Sequence, residues 1–159
     1  MAKELKAPEL MNYAMFCGGC GHGVLLRLIC ECLEEYGLDK KTIAAIGVGC
    51  SCHLKSGINV DLVQSPHGRA AAVATGIRRA EPDKFVFSYQ GDGDAYNIGL
   101  AETLNAAYRN ENICVFIINN GNFGMTGGQM AWTTMPGQKT ATSPKGRDCA
   151  TTGIPIKVP

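Results

Sequence analysis

Asp92 and Asn120 are the residues whose types and setting point most directly to chemistry. Asp92 lies between two glycines, directly after the apolar run Phe85-Val86-Phe87-Ser88-Tyr89-Gln90, and Asn119-Asn120 follows a second apolar run, Ile113 to Ile118. A carboxylate and an amide oxygen are hard ligands, of the kind Mg²⁺ uses when it is shared between a protein and bound phosphates. Gly91, Gly93, Gly121 and Gly124 surround the two positions. Glycine permits unusual dihedrals and close approach of backbone to a ligand. Asp92 and Asn120 can act together only if the fold brings them to one place. Both apolar runs read as buried strands. The segment between them, Asn97 to Arg109, spaces Ile98, Leu100, Ala101, Leu104, Ala107 and Tyr108 close to a helical period. Strand, helix and strand within about forty residues predict a βαβ unit with parallel strands and a right-handed crossover. The two strands then end on one edge of the sheet, where open α/β sheets bind ligands.

Thiols form the second group. Of eight cysteines, four fall within the first 32 residues. Cys17 and Cys20 make a C-x-x-C in the glycine-rich FCGGCGHG. Val24, Leu25, Leu28, Ile29, Leu33 and Tyr36 then mark an amphipathic helix that Gly37 should end. The pair therefore sits at a helix N-terminus, where the dipole favours thiolates. Zinc, a redox dithiol and an iron–sulfur cluster all fit this much. Thr42 to Val48 reads as a short strand, which sets Cys50 at a strand's C-terminal end, on the edge assigned to Asp92 and Asn120. A pair followed by a distant single lacks the paired spacing of a zinc ribbon. It is compatible with a [4Fe–4S] site, which needs four thiolates. Cys52, two residues on along an extended segment, should point away from Cys50. Cys32 shares the apolar face of its helix and reads as core. Nothing local favours Cys149 as a ligand.

Composition narrows the classes. A chain of 159 residues has room for one domain with a real core. A net charge of +1 gives no ground for a nucleic-acid or membrane-surface partner. No stretch is long and apolar enough to span a bilayer, and MAKELKAPELMNYAMF has no signal-peptide core. The expectation is a cytoplasmic protein that binds neither nucleic acid nor membrane. A disulfide scaffold fits poorly with an α/β pattern and no secretion signal.

The remaining stretches supply the frame. Residues 1–16 read as an arm, and residues 53–66 as a loop. Ala70 to Arg79 is a small-residue helix, introduced by Pro66 and ended before Pro82; its alanines and Gly76 would let it lie close against the sheet. His67 and Arg69 stand at its N-terminus on the ligand edge. They read either as a capping histidine and a solvated arginine or as phosphate contacts. After Asn122 a long polar run rich in Gly, Thr, Ser and Pro lacks periodicity, which in a compact domain usually marks function. Its backbone could close over a cofactor. Its threonines, Lys139 and Arg147 could meet an anionic substrate, or the run could be a surface loop or subunit contact. The fold class expected is α/β, with a doubly wound, mostly parallel sheet.

Gly91-Asp92-Gly93, with Asn119 standing 26 positions after Gly93, resembles the thiamine diphosphate motif. Together with FCGGCGHG, GVGCS, SPHGRAAAVATGIRRA, YQGDGDAYNIGLAE, NNGNFGMTGGQ and TSPKGRD, it resembles the β subunits of 2-oxoacid:ferredoxin oxidoreductases. The resemblance implies a thiamine diphosphate-binding fold over residues 1–159, missing its C-terminal part. It implies that Asp92, Asn120 and Asn122 hold Mg²⁺, the last through its backbone carbonyl. It places Val48, Gly49, Cys50, Ser51 and His67 along thiamine diphosphate and Gly93, Gly124 and Met125 at its diphosphate. It makes Cys17, Cys20 and Cys50 ligands of a [4Fe–4S] cluster. The implied reaction converts a 2-oxoacid and coenzyme A to acyl-CoA and CO₂, with electrons passed to ferredoxin. The implied partners are an α subunit, with γ and δ subunits in some assemblies, and ferredoxin. Two departures stand out. The family's fourth cluster cysteine falls beyond Pro159, so either the chain is truncated, or Cys52 or Cys149 substitutes, or the cluster is absent. The glutamate that activates the cofactor is expected from the α subunit, since Glu102 reads as structural. Two other readings remain: a non-oxidative thiamine diphosphate lyase or carboligase, and a non-enzymatic zinc-binding module.

Overall fold

The structure, a computed structural model, describes residues 6–156. Residues 1–5 of the expected arm and the last three residues of the chain lie outside the described residues. Four strands, β1 (Thr42–Ile46), β2 (Asp61–Gln64), β3 (Phe85–Gly91) and β4 (Cys114–Ile118), form one sheet in the order β2-β1-β3-β4. Every pairing in it is parallel. From β1 the chain moves outward to β2, then returns to lay β3 on the other side of β1. The connections therefore diverge between β1 and β3, and a crevice opens there at the strands' C-terminal ends.

Both faces of the central strands are covered, as parallel strands require. On one face, Ala44 and Ile46 of β1 and Phe87 and Tyr89 of β3 pack with Leu26, Ile29, Cys30 and Leu33 of α1 (Gly21–Glu35). On the other, Ala45 and Val86 pack with Ala70 and Ala74 of α3 (Ala70–Ala80). Alanines on both sides of that second contact let α3 lie close to the sheet. The doubly wound parallel architecture is thus as expected, and the βαβ unit from β3 to β4 is present.

The details depart from the pattern in three places. First, residues 53–66 are not a loop. They hold a short helix, α2 (Leu54–Gly57), and the edge strand β2. Asp61, Val63 and Gln64 are exposed, and an edge strand with so little burial leaves no apolar run to read. Second, the buried stripe of α1 is rotated from the one the apolar residues mark. Leu28 and Tyr36 are 50 % and 72 % exposed, and Cys30, not Cys32, is the core thiol. Cys30 lies one turn from Leu26 and three residues from Leu33, so it shares their face. Leu28 and Cys32 fall on the flank, where with Leu25, Tyr36, Phe85 and Phe116 they line an apolar groove. Third, a π-helical turn (Gly93–Ile98) begins directly after Asp92, and α4 proper runs Leu100–Tyr108. Thr103 and Ala106 are its buried residues, while Leu104 and Tyr108 are exposed.

The described part of the arm is tied down: Asn12 N–H donates to Gly57 O at 2.8 Å and Asn59 N–H to Leu10 O at 2.9 Å. After β4, β5 (Asn122–Phe123) pairs antiparallel with β6 (Gln129–Met130), and a one-turn helix, α5, spans Cys149–Thr152. Among the described residues no helix is long and apolar enough to cross a membrane.

Burial pushes the Cys30 thiol up to about 12, whereas Cys32, two residues on, is exposed. Native alkylation with iodoacetamide at about pH 8 should therefore modify Cys32 and spare Cys30 until denaturant is added. Peptide mass spectrometry showing both labelled at one rate would refute this packing.

Candidate cofactor cleft

The crevice is walled by the segments that leave β1, β3 and β4. The turn after β1 contributes Val48, Gly49 and Cys50, and the segment ahead of α3 contributes His67. Gly91 ends β3 and Asp92 to Asp94 follow it, while Asn120 and Asn122 to Thr126 follow β4. Asp92, Asn120, Asn122, Gly93, Gly124 and Met125 thus share one cleft with Val48, Gly49, Cys50 and His67. Ser51 does not line it. That residue is buried and its hydroxyl donates to Val48 O at 3.3 Å, because a 3₁₀ turn at Cys50–His53 folds it beneath the loop. It shapes the wall from below.

One carboxylate ties three of these segments together, and it is not Asp92. Asp94 is 2 % exposed. Its Oδ1 accepts from Val48 N at 3.3 Å and Gly68 N at 2.8 Å, and Nδ1 of His67 lies against the same oxygen. Its Oδ2 accepts from Gln90 Nε2 at 2.6 Å. The turn after β1, the segment ahead of α3 and the end of β3 therefore all close on one charge. Two close approaches make room for this. A Cβ on Gly47 would run into Asp94 Oδ2. Gly68, at φ +78°, would bring a Cβ to 2.7 Å from Gly99 N. Sequence reasoning missed Asp94, although it is the fourth residue of GDGDA. The signal available was a second acid next to a strand end, too short a pattern to separate from a solvated turn.

Asp92 is 1 % exposed. Its Oδ2 accepts from Gly121 N at 3.1 Å and from the Thr133 hydroxyl. Among the described residues no donor meets Oδ1. Asn120 Oδ1 accepts from Asn122 N at 3.1 Å, and an amide oxygen keeps a second lone pair. Among the described residues the cleft wall carries two carboxylates and neither lysine nor arginine. A bare diphosphate would be repelled here. A divalent cation on the free oxygens reverses the sign, so the donor set fits Mg²⁺ shared with a diphosphate.

The thiols stand beside this cleft. Cys17 is exposed; Cys20, Cys50 and Cys52 are half-buried. Burial raises the Cys50 thiol pKa, and the charges of Cys20, Cys17 and Cys52 raise it further, so these three thiols lie within electrostatic reach of Cys50, which lines the cleft. Cys52 lies on the 3₁₀ turn, not on an extended segment, so the alternation expected to turn it away from Cys50 does not apply. Among the described residues no three Cys, His, Asp or Glu side chains converge enough to hold a single metal ion. An iron–sulfur cluster makes a different demand, since its thiolates bind separate irons.

Between the thiols and the sheet lies His22, unnoticed in FCGGCGHG because a lone histidine carries no pattern. Burial and then the charge of His53 lower its pKa to about 4. Tyr89 donates its phenolic proton to His22 O at 3.1 Å, so the 3.0 Å contact with His22 Nδ1 assigns Nδ1–H as donor and leaves Nε2 its lone pair.

Three charged candidates are not in the cleft wall. Arg147 is buried and donates to the carbonyl oxygens of Ala131, Trp132, Thr134, Thr152 and Gly153, so it orders its loop and is not free to meet a substrate. Arg69 pairs with Glu102 at 2.9 Å, which leaves both structural. Lys139 is exposed.

Residues 47–156 match the family described as thiamine pyrophosphate enzyme, C-terminal TPP binding domain. The chain is 49 % identical over 153 residues to the ketoisovalerate oxidoreductase subunit VorA of Methanothermobacter thermautotrophicus, covering 96 % of this chain and 32 % of that one. It is 40 % identical over 133 residues to the 2-oxoglutarate synthase subunit KorB of Methanocaldococcus jannaschii, covering 83 % and 49 %. A solved 2-oxoglutarate:ferredoxin oxidoreductase from Magnetococcus marinus superposes with a TM-score of 0.83 at 33 % identity, over 91 % of this chain and 50 % of that one. The chain thus spans about a third to a half of the length of these relatives.

Asp94→Ala removes the acceptor of three buried donors at once. It should lower stability by about 3 kcal/mol, read as a fall in the urea midpoint. An unchanged midpoint would show that the three segments hold without the carboxylate.

Proposed function

Because the chain belongs to the thiamine pyrophosphate enzymes, through their C-terminal TPP binding domain, we propose that it is the cofactor-binding part of an oxidoreductase that converts a 2-oxoacid and coenzyme A to acyl-CoA and CO₂. The resemblance to 2-oxoacid:ferredoxin oxidoreductase β subunits is borne out by its relatives. The observation that carries the reading is the electrostatics of the cleft: buried carboxylates, no lysine or arginine among the described residues of the wall, and carboxylate and amide oxygens left free at two strand ends. Such a site takes a diphosphate only together with a divalent ion.

In this reading Asp92, Asn120 and the Asn122 carbonyl hold Mg²⁺. Gly93, Gly124 and Met125 border the diphosphate, and Val48, Gly49, Cys50 and His67 flank the rest of thiamine diphosphate. Bound there, the cofactor supplies a nucleophilic carbon and an electron sink for decarboxylation. The protein's share is to anchor the diphosphate, keep the loops fixed through Asp94 and shield the reacting carbon from water. Cys17, Cys20 and Cys50 contribute thiolates to a [4Fe–4S] cluster, with a fourth completing the set. Such a cluster would supply a one-electron path from this site towards ferredoxin. The position of Cys50, in the cleft wall and in the thiol group, supports a short path between cofactor and cluster. The activating glutamate, and with it a complete active site, comes from a partner α subunit.

Calorimetry with thiamine diphosphate and Mg²⁺ tests the first half. Binding should be measurable for the wild type and lost in Asp92→Ala; equal affinities would refute the metal role. Anaerobic reconstitution with iron and sulfide tests the second. A brown protein with a reducible paramagnetic signal, absent in Cys50→Ala, is expected, whereas a colourless protein that binds thiamine diphosphate would be a non-oxidative enzyme.

A further inference from the structure

We propose that Thr133 is a positioning residue for the divalent ion, its hydroxyl holding the Asp92 carboxylate so that one oxygen alone faces the metal. The inference rests on the Mg²⁺–thiamine diphosphate reading above and deepens it.

Thr133 is remote in sequence, 41 residues from Asp92, yet it is buried and donates to Asp92 Oδ2. Gly121 N–H donates to the same oxygen at 3.1 Å. With two donors on Oδ2 and none of the described residues on Oδ1, the carboxylate cannot rotate without breaking both bonds. Its free oxygen is therefore fixed in direction. Thr133 is itself held on both sides. Thr134 donates its hydroxyl to Gly121 O and accepts from Ala131 N at 2.9 Å. Arg147 Nη1 donates to Thr134 O at 2.6 Å and to Trp132 O at 3.0 Å. The 131–134 turn thus grips Gly121 by its carbonyl while Thr133 and Gly121 together grip the carboxylate.

A carboxylate held this way binds a cation through one oxygen. That suits Mg²⁺, which takes single oxygens in a tight octahedron, better than Ca²⁺, which accepts both oxygens of a carboxylate at longer distances. Thr133 therefore sets affinity for Mg²⁺ and also the preference for Mg²⁺ over Ca²⁺. A residue that only supported the fold would weaken both ions alike.

The test is calorimetric titration of the purified protein with thiamine diphosphate over a range of MgCl₂ and, separately, CaCl₂. Thr133→Val should weaken Mg²⁺ about ten- to a hundredfold, the range of lost outer-shell contacts, and narrow the preference for Mg²⁺ over Ca²⁺. Thr133→Ser, which keeps the hydroxyl, should restore both. Should Thr133→Val fail to fold by circular dichroism, Thr133→Ala is read in the same way. Mg²⁺ affinity and ion preference at wild-type levels in the hydroxyl-free variant overturn the proposal, as does a Thr133→Ser variant that behaves like Thr133→Val. A wild-type protein whose cofactor binding is indifferent to both ions would instead overturn the underlying Mg²⁺ reading.

Discussion

A parallel sheet delivers strand ends to a common rim, but nothing in the ladder holds the loops beyond that rim. Here one buried carboxylate does so. Asp94 accepts from the turn after β1, from the segment ahead of α3 and from Gln90 near the end of β3. A charge this far from water is costly unless its lone pairs are filled. The filling groups come from different segments, so none can relax without stranding the others. Gly47, Gly68 and Gly99 are the steric side of the same constraint, because the backbones close on Asp94 and on each other with no space for a side chain. The crevice behaves as one body because its floor is one hydrogen-bonded charge.

Asp92 and Asp94 divide two tasks within three residues. They sit at the start of a π-helical turn, where side chains two apart point to roughly opposite sides. Asp94 therefore faces β1 and is fully occupied. Asp92 faces the β4 side, where Gly121 and Thr133 take one of its oxygens. The carboxylate that organises and the carboxylate left with free capacity are separated by the geometry of a single helical turn. Irregular helix at this point is in keeping with the tendency of π turns to mark functional positions.

These two acids also show what the sequence could and could not reveal. β3 is legible because a central parallel strand is apolar on both faces, and β4, though at the sheet edge, because Ile113 to Ile118 is a continuous apolar run; their common direction follows from the βαβ spacing. That was enough to bring Asp92 and Asn120 to one edge. β2 was not legible, since an edge strand with three exposed residues leaves no apolar run. On α1 the apolar residues gave the element but not its face. Leu28 and Tyr36 are exposed in a groove while Cys30 fills the core, and which flank the sheet covers is decided by tertiary packing. The extended segment expected at Cys52 is a 3₁₀ turn instead, a curl that no local period in GVGCSCH records. Asp94 and Thr133 were missed for a deeper reason. Their importance lies in partners dozens of residues away, and no local period records that.

The long polar segment after β4 illustrates how order arises without periodicity. It has no apolar stripe to bury, and one of its cations, Arg147, is spent inside. Arg147 presents its N–H groups in a rigid fork, and its two terminal nitrogens reach carbonyl oxygens on both sides of the segment, from Ala131 to Gly153. Backbone carbonyls that a helix or sheet would have satisfied are satisfied by one side chain instead. The loop so fixed ends its inner turn at Thr133 and Thr134, on Asp92 and Gly121. A guanidinium read from the sequence as a contact for an anion thus acts at one remove: by holding the turn, it holds the carboxylate, and the carboxylate's free oxygen is what the cleft offers to a cation.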